Sequence, residues 1–306
     1  MSRIAYVNGR YMPLREALVH VEDRGYQFAD GVYEVCEIKA GRIVDERLHL
    51  KRLERSLAEL RIAFPMALAA LGVIFREVVR RNRVRDGAVY LQVTRGVAPR
   101  NHAFPNPPVR PSVVVTCRAM SRAQGEARAA SGVAAVTVPD TRWARVDIKT
   151  TGLLPNVLAR QTAREAGAYE AIFVDADGCV TEGASTNVWI VTADGALVTR
   201  PADRGILRGI TRTVLFDLAR REGLRIEERR FTLDEALTAR EVFLTAATTL
   251  VMPVISIDGR PIGSGGPGRV ATLLRGAFHS QAEIAPEWSG FLPQSPEKAD
   301  GTKIHR

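Results

Sequence analysis

Lys149 lies in the apolar stretch Arg145-Val-Asp-Ile-Lys149-Thr-Thr-Gly-Leu-Leu-Pro155-Asn156, in a chain that carries nearly all its positive charge on arginine. Of 43 basic residues only Lys39, Lys51, Lys149, Lys298 and Lys303 are lysine. A guanidinium keeps its proton at neutral pH. A lysine amine among apolar neighbours can lose its proton and attack a carbonyl carbon, which makes Lys149 a candidate imine-forming amine. A solvent-facing lysine at a strand end would give the same local sequence, so the reading depends on what else the chain supplies.

Three other segments supply what an aldehyde bearing a phosphate and a pyridine nitrogen would need. Ile206-Leu207-Arg208-Gly209-Ile210-Thr211-Arg212 enters a helix through glycine, with a hydroxyl in the first turn. Open amide N–H groups at a helix start, a backbone that allows close approach and the Thr211 hydroxyl together suit a phosphate monoester. Ala247-Thr248-Thr249 follows a strand and offers hydroxyl and amide donors to the same anion. Thr181-Glu182-Gly183-Ala184-Ser185-Thr186-Asn187 ends one strand on a carboxylate and continues with small residues before the next. A carboxylate against a pyridine nitrogen keeps it protonated, and a protonated ring draws electrons from an attached substrate. Singly, these segments are also an ordinary helix start, a polar turn and a surface glutamate.

Turn chemistry and hydrophobic period give the elements that must position these groups. Asn8-Gly9 within residues 4–12 reads as a hairpin turn, as do Asp177-Gly178 and Asp194-Gly195 later in the chain. Alternation of apolar and polar residues predicts strands at 31–38, 88–94, 112–117, 133–138, 241–245 and 254–257. Leu50, Leu53, Leu57 and Leu60 recur at spacings of three and four, an amphipathic helix between residues 45 and 62, followed by helices at 68–81, 155–167 and 210–222. Antiparallel strands mixed with a few helices define an α+β chain. The small, polar stretch 121–132 is expected to link a domain at 1–120 to a second at 133–285, with residues 286–306 a disordered tail.

Composition narrows the partners. With 306 residues, 46% hydrophobic and 25% charged, the chain has ordinary globular values and room for two domains. Cys36, Cys117 and Cys179 are odd in number and lack a Cys-x-x-Cys pair, so no metal is expected and a reducing, cytoplasmic setting is. Neither a leader-like start nor an apolar run near 18 residues is present, so no membrane partner is expected. A net charge of +9 raises nucleic acid. The arginines are interleaved with glutamates rather than aromatics, however, and no nucleic-acid partner is expected.

In this order, Asp147-Ile-Lys149-x-x-x-Leu-Leu-Pro155-Asn156, Thr181-Glu182-Gly183-x-Ser185-x-Asn187 and Leu207-x-Gly209-Ile210-Thr211-Arg212 resemble fold-type IV pyridoxal-phosphate aminotransferases. The likeness extends to Phe28-Ala-Asp30-Gly31-Val32-Tyr33-Glu34 and His49-Leu-Lys-Arg52-Leu53-x-Arg55-Ser56, and covers roughly residues 4–280. The resemblance implies pyridoxal 5'-phosphate as cofactor, held covalently by Lys149. Glu182 then faces the pyridine nitrogen, Arg52, Ile210, Thr211 and Thr248 bind the phosphate beside Gly209, and Leu207 packs on the ring. It further implies two α+β domains with the cofactor cleft between them, and a homodimer in which each site borrows residues from its neighbour.

Within that family, Pro99-Arg100-Asn101-His102-Ala-Phe104-Pro105 resembles the loop of D-amino-acid aminotransferases. There an arginine and a histidine two residues apart, with the tyrosine matched here by Tyr33, hold the substrate α-carboxylate, a set of donors that suits that anion. Ala184 departs from the serine often found at its position. The expected activity is ping-pong transfer of the amino group from D-amino acids of the D-alanine or D-glutamate type to 2-oxo acids such as 2-oxoglutarate or pyruvate. Branched-chain L-amino-acid aminotransferases and (R)-selective amine transaminases share the cofactor motifs and stand as alternatives.

Overall fold

Asn8 and Gly9 take φ of 48° and 101°. Paired positive φ values are what a two-residue turn needs to match strand twist, and strand Ile4–Val7 accordingly doubles back on Arg10–Pro13. In this computed structural model, which describes residues 3–286 and Trp288, that hairpin edges a six-stranded antiparallel sheet. Its order is Arg10–Pro13, Ile4–Val7, Ser112–Ala119, Gly87–Thr94, Gly31–Lys39, Arg42–Ile43.

Strand alternation decides what each face of this sheet does. Val32, Cys36 and Ile38 point, with Val89, Leu91, Val113 and Val115, into a core covered by helices Glu46–Glu59 and Leu68–Asn82. Leu50, Leu53 and Leu57 are buried there and Leu60 packs against the same cluster, as their spacing predicts. Tyr33 and Val35 turn to the opposite face with their register partners Gln92 and Tyr90. That second face is left for the cleft.

The other sheet has nine strands drawn from residues 133–261. Asn187–Val191, Glu241–Ala246 and Leu250–Ile257 are its antiparallel centre, while Val133–Pro139 runs parallel to both Leu250–Ile257 and Glu170–Val174. The two Asp-Gly pairs turn hairpins, with Gly178 and Gly195 at φ 74° and 87°. Helices Ile210–Arg221 and Arg269–Gln281 close one side around Trp189, Phe243 and Phe278.

Residues 121–132 are not an extended connection. They form helix Arg122–Ser131, whose first turn is capped by Ser121 Oγ accepting from the Gln124 amide. Ala129 is the helix's one buried residue, so it carries little apolar period to read. Helix Arg269–Gln281 and the short helix Leu233–Thr238, with its Thr232/Glu235 capping box, are further elements beyond those expected from hydrophobic period. Of the expected tail, all but Pro286 and Trp288 lies outside the described residues. Among the described residues no helix is long and apolar enough to cross a membrane.

Candidate active site

After strand Val133–Pro139 the chain runs back to the first sheet and is pinned there by its backbone. The Tyr33 amide donates to the Lys149 carbonyl (3.0 Å), the Thr151 amide donates to the Gly31 carbonyl (3.0 Å), and Val32 bridges Thr150. Ile148 enters the first core, and Asp147 is clamped by Arg55 and Arg145. The lysine is thereby fixed by everything around it except its own amine. Lys149 Nζ lies 4.2 Å from the centre of the Tyr33 ring and, among the described residues, has no hydrogen-bond or ion-pair partner.

That amine opens into a cleft of about 1070 Å³ between the two sheets. Tyr33, Arg52, Glu182, Leu207, Gly209, Ile210, Thr211, Thr248 and His102 all line it, so the structure gathers these candidates in one place. Arg100 is the exception. It is exposed, its guanidinium lies 4.6 Å from the centre of the Phe28 ring, and it is not part of the cleft wall of its own chain. The loop that bears it is tied down from beneath by buried Arg24, which donates to the carbonyls of Asn101 (2.5 Å) and Ala103 (3.3 Å).

Glu182 ends strand Val180–Gly183 and is buried. Burial pushes its pKa up, and the groups opposing that push form a complete shell. Arg142 donates to one carboxylate oxygen; Asn187 Nδ2 and the Leu207 amide donate to the other, both at 3.0 Å. Arg142 is itself buried and bridges to Asp140 (2.7 Å). Donors so placed favour the ionised form of a buried carboxylate, the form that would pair with a protonated ring nitrogen.

Opposite stands the start of helix Ile210–Arg221, whose N-cap Gly209 provides no side-chain cap. Its first amides therefore lack intrahelical partners and present partial positive charge. Arg52 reaches this helix start from the first domain, donating to the Arg208 carbonyl (3.0 Å), while its Nε and Nη2 both bind Glu34 at 2.7 Å. Glu34 is fully buried and also meets His49 Nδ1 at 2.7 Å. Burial alone would raise the Glu34 pKa, but Arg52 and His49 hold it down to about 2.

The amino-transferase class IV family model matches residues 31–257. The chain belongs to the class IV aminotransferases. Among its relatives are the D-alanine aminotransferases of Bacillus licheniformis, 44% identical over 90% of this chain and 96% of that protein, and of Staphylococcus haemolyticus, 38% identical over 91% and 97%. The architecture is likewise shared with the branched-chain amino acid aminotransferases of Escherichia coli (TM-score 0.84, 25% identical, 92% of this chain and 94% of that one). It is shared also with that of T.th. determined with pyridoxamine 5'-phosphate (TM-score 0.84, 29% identical, 92% and 94%).

Pyridoxal 5'-phosphate is the cofactor of this aminotransferase family, and the residues present fit it. Besides the unpartnered Lys149 amine and the uncapped helix start, Thr249 Oγ1 is buried in the cleft wall without a hydrogen-bond partner, a donor awaiting an anion. Gly209 explains how closely the cradle is built: a Cβ there would lie 2.1 Å from Asn187 Oδ1. Asn187 cannot swing aside freely, since its amide nitrogen holds both Glu182 and the Leu207 carbonyl (2.9 Å). Gly209→Ala should therefore weaken cofactor binding about tenfold or more, read by titrating apoprotein with pyridoxal phosphate; an unchanged affinity would show that the cradle tolerates a methyl group.

Several site residues carry no role in the sequence reading. Arg142 sits in a turn-rich segment with no period to flag it. Glu34 and His49 did leave a signal: Glu34 occupies an inward position between Val32 and Cys36, and His49 falls three residues before Arg52 on one helix face. A charge at an apolar position demands partners.

Proposed function

We propose that this aminotransferase moves the amino group of D-amino acids, of the D-alanine or D-glutamate kind, to 2-oxo acids such as 2-oxoglutarate or pyruvate. The observation that carries the substrate class is the likeness to D-alanine aminotransferases at 38–44% identity over about nine-tenths of the chain, against 25–29% for the branched-chain enzymes of like fold. The two-domain reading, residues 1–120 and 133–285 joined by the 122–131 helix, places the cofactor between them.

Pyridoxal phosphate, when bound, supplies an aldehyde that condenses with amines and a protonated ring that draws electrons from the substrate α-carbon. Lys149 Nζ would be the amine that anchors it, and the same Nζ would serve as the base that moves the substrate α-proton. Glu182 would hold the ring nitrogen's proton, with Arg142 and Asn187 aiming its carboxylate. The Ile210 and Thr211 amides, the Thr248 hydroxyl and Arg52 would hold the phosphate, and Leu207 would pack against the ring.

Tyr33 beside Lys149 offers a hydroxyl to the substrate α-carboxylate, with Arg100 and His102 as further donors. The outward position of Arg100 suits a homodimer in which Arg100 serves the cleft of the other copy. Free Cys36, Cys117 and Cys179 suit a cytoplasmic setting. One assay tests the substrate reading: with 2-oxoglutarate as acceptor, D-alanine should be consumed at least about a hundredfold more efficiently than L-leucine. Preference for L-leucine would replace it with the branched-chain reading.

A further inference from the structure

We propose that the free face of the first sheet carries a subsite for the distal carboxylate of dicarboxylic amino and oxo acids, with Arg118 as its cation. The inference rests on the aminotransferase reading and adds to it the residue that recognises the far end of the substrate.

Six arginines line the cleft. Arg24 is paired with Asp30 (2.8 Å), Arg52 with Glu34 (2.7 Å), Arg142 with Asp140 and Glu182, and Arg160 with Glu170 (2.9 Å). Arg128 lies 5.2 Å from the centre of the Tyr169 ring. The Arg118 guanidinium, among the described residues, has no ion pair, hydrogen bond or ring contact. A committed guanidinium neutralises the protein's own carboxylate. An uncommitted one presents its planar pair of donors to whatever anion enters, and a carboxylate matches that geometry.

Register places this cation where a substrate's far end would arrive. Arg118 pairs with Ala88 and Ala88 with Glu37; Thr116 pairs with Tyr90 and Tyr90 with Val35; Gln92 pairs with Tyr33. Directly opposed residues share a face, so Arg118 stands on the same side as Val35, Tyr90 and the Tyr33 ring that touches Lys149 Nζ. Two strands across and four residues along put the Arg118 and Tyr33 backbones roughly 16 Å apart. An extended arginine and a five-carbon acid bridge that span together, whereas a three-carbon acid ends short of it.

The intervening ground is open. Val35 and Arg118 line both the cleft and an adjoining cavity of about 300 Å³ whose wall also includes Tyr90 and Thr116. Val35 and the Tyr90 ring offer apolar contact to the methylenes between the two carboxylates. Glu37, the acidic residue on this face, is engaged with His279 at 3.0 Å and does not neutralise Arg118.

The test compares Arg118→Gln and Arg118→Lys with the wild-type holoenzyme. Each oxo acid is reacted with the pyridoxamine form, and the dissociation constant of 2-oxoglutarate for the non-reacting pyridoxal form is measured by calorimetry. Loss of a charge-assisted hydrogen bond should lower the ratio of kcat/KM for 2-oxoglutarate to that for pyruvate about tenfold and raise the dissociation constant by a like factor. The lysine variant should recover part of both. A ratio within twofold of wild type, or equal losses for both oxo acids, would overturn the subsite. Arg118-dependent binding of 2-oxoglutarate by a protein inert to D-alanine would instead sink the D-amino-acid reading, so the two failures are told apart.

Discussion

Replacing Lys149 with alanine should lower transamination by at least about 10⁴-fold while leaving the fold intact. In the proposed mechanism the amine both holds the cofactor and moves the α-proton, and no neighbour can take over. Lys51 is exposed on helix Glu46–Glu59, Lys39 lies at the far end of its strand, and the arginines of the cleft cannot give up a proton. The fold should survive because the segment is held by the Lys149 carbonyl and by Thr150 and Thr151, not by the side chain, whose amine lies against the Tyr33 ring. A stability change within about 1 kcal/mol is expected. Borohydride reduction of wild-type holoprotein should fix a pyridoxyl group on the peptide containing Lys149. A Lys149→Ala variant that still takes up this label and still turns over would remove Lys149 from the mechanism.

How much of this site the sequence discloses follows from the kind of signal each part leaves. Leu50, Leu53 and Leu57 carry the first core because helical period is a local property, and Asn8-Gly9 fixes its hairpin because few other pairs accept two positive φ values. Lys149, Glu182 and Gly209 are legible as motifs since each sits beside an element boundary that constrains its neighbours. Arg142 is not legible: Asp140 is its near neighbour in the chain, but Glu182 comes from strand Val180–Gly183, and only the folded sheet sets that carboxylate beside the Asp140–Arg142 pair. The same holds for Arg118, whose meaning comes from lacking a partner where five other arginines of the cleft have one. Arg100 shows the converse limit. Its loop is recognisable, yet within one chain it stands outside the cleft, so the motif alone does not say which site the loop would serve. Helix Arg122–Ser131 escaped because small residues leave no apolar stripe, and its Ser121 cap is visible only once the helix is granted.

Glu34→Gln should be the most damaging substitution away from the reacting atoms, and its pH dependence separates charge from shape. Glu34 is the shared acceptor of Arg52 and His49. Burial depresses the His49 pKa, so its ring is largely neutral, and because Glu34 only accepts, the His49 proton must sit on Nδ1. The amide of glutamine would leave Arg52 buried without its counter-ion, at a cost of about 3–5 kcal/mol. It would also free the guanidinium from the helix start proposed to cradle the phosphate, so cofactor affinity should fall together with stability. The wild-type Glu34 pKa of about 2 lies below the ordinary 4.5. A depressed carboxylate contributes stability that is fully present above the unfolded value and is lost as pH falls from about 4.5 toward 2. The gap between wild type and Glu34→Gln in urea denaturation should therefore be constant from pH 7 to about 5, then narrow by up to about 1.4 kcal/mol per pH unit below 4.5. A gap that stays constant down to pH 3 would mean that the glutamine acts through packing, and that the Arg52–Glu34 pair does not set the position of the phosphate-binding arginine.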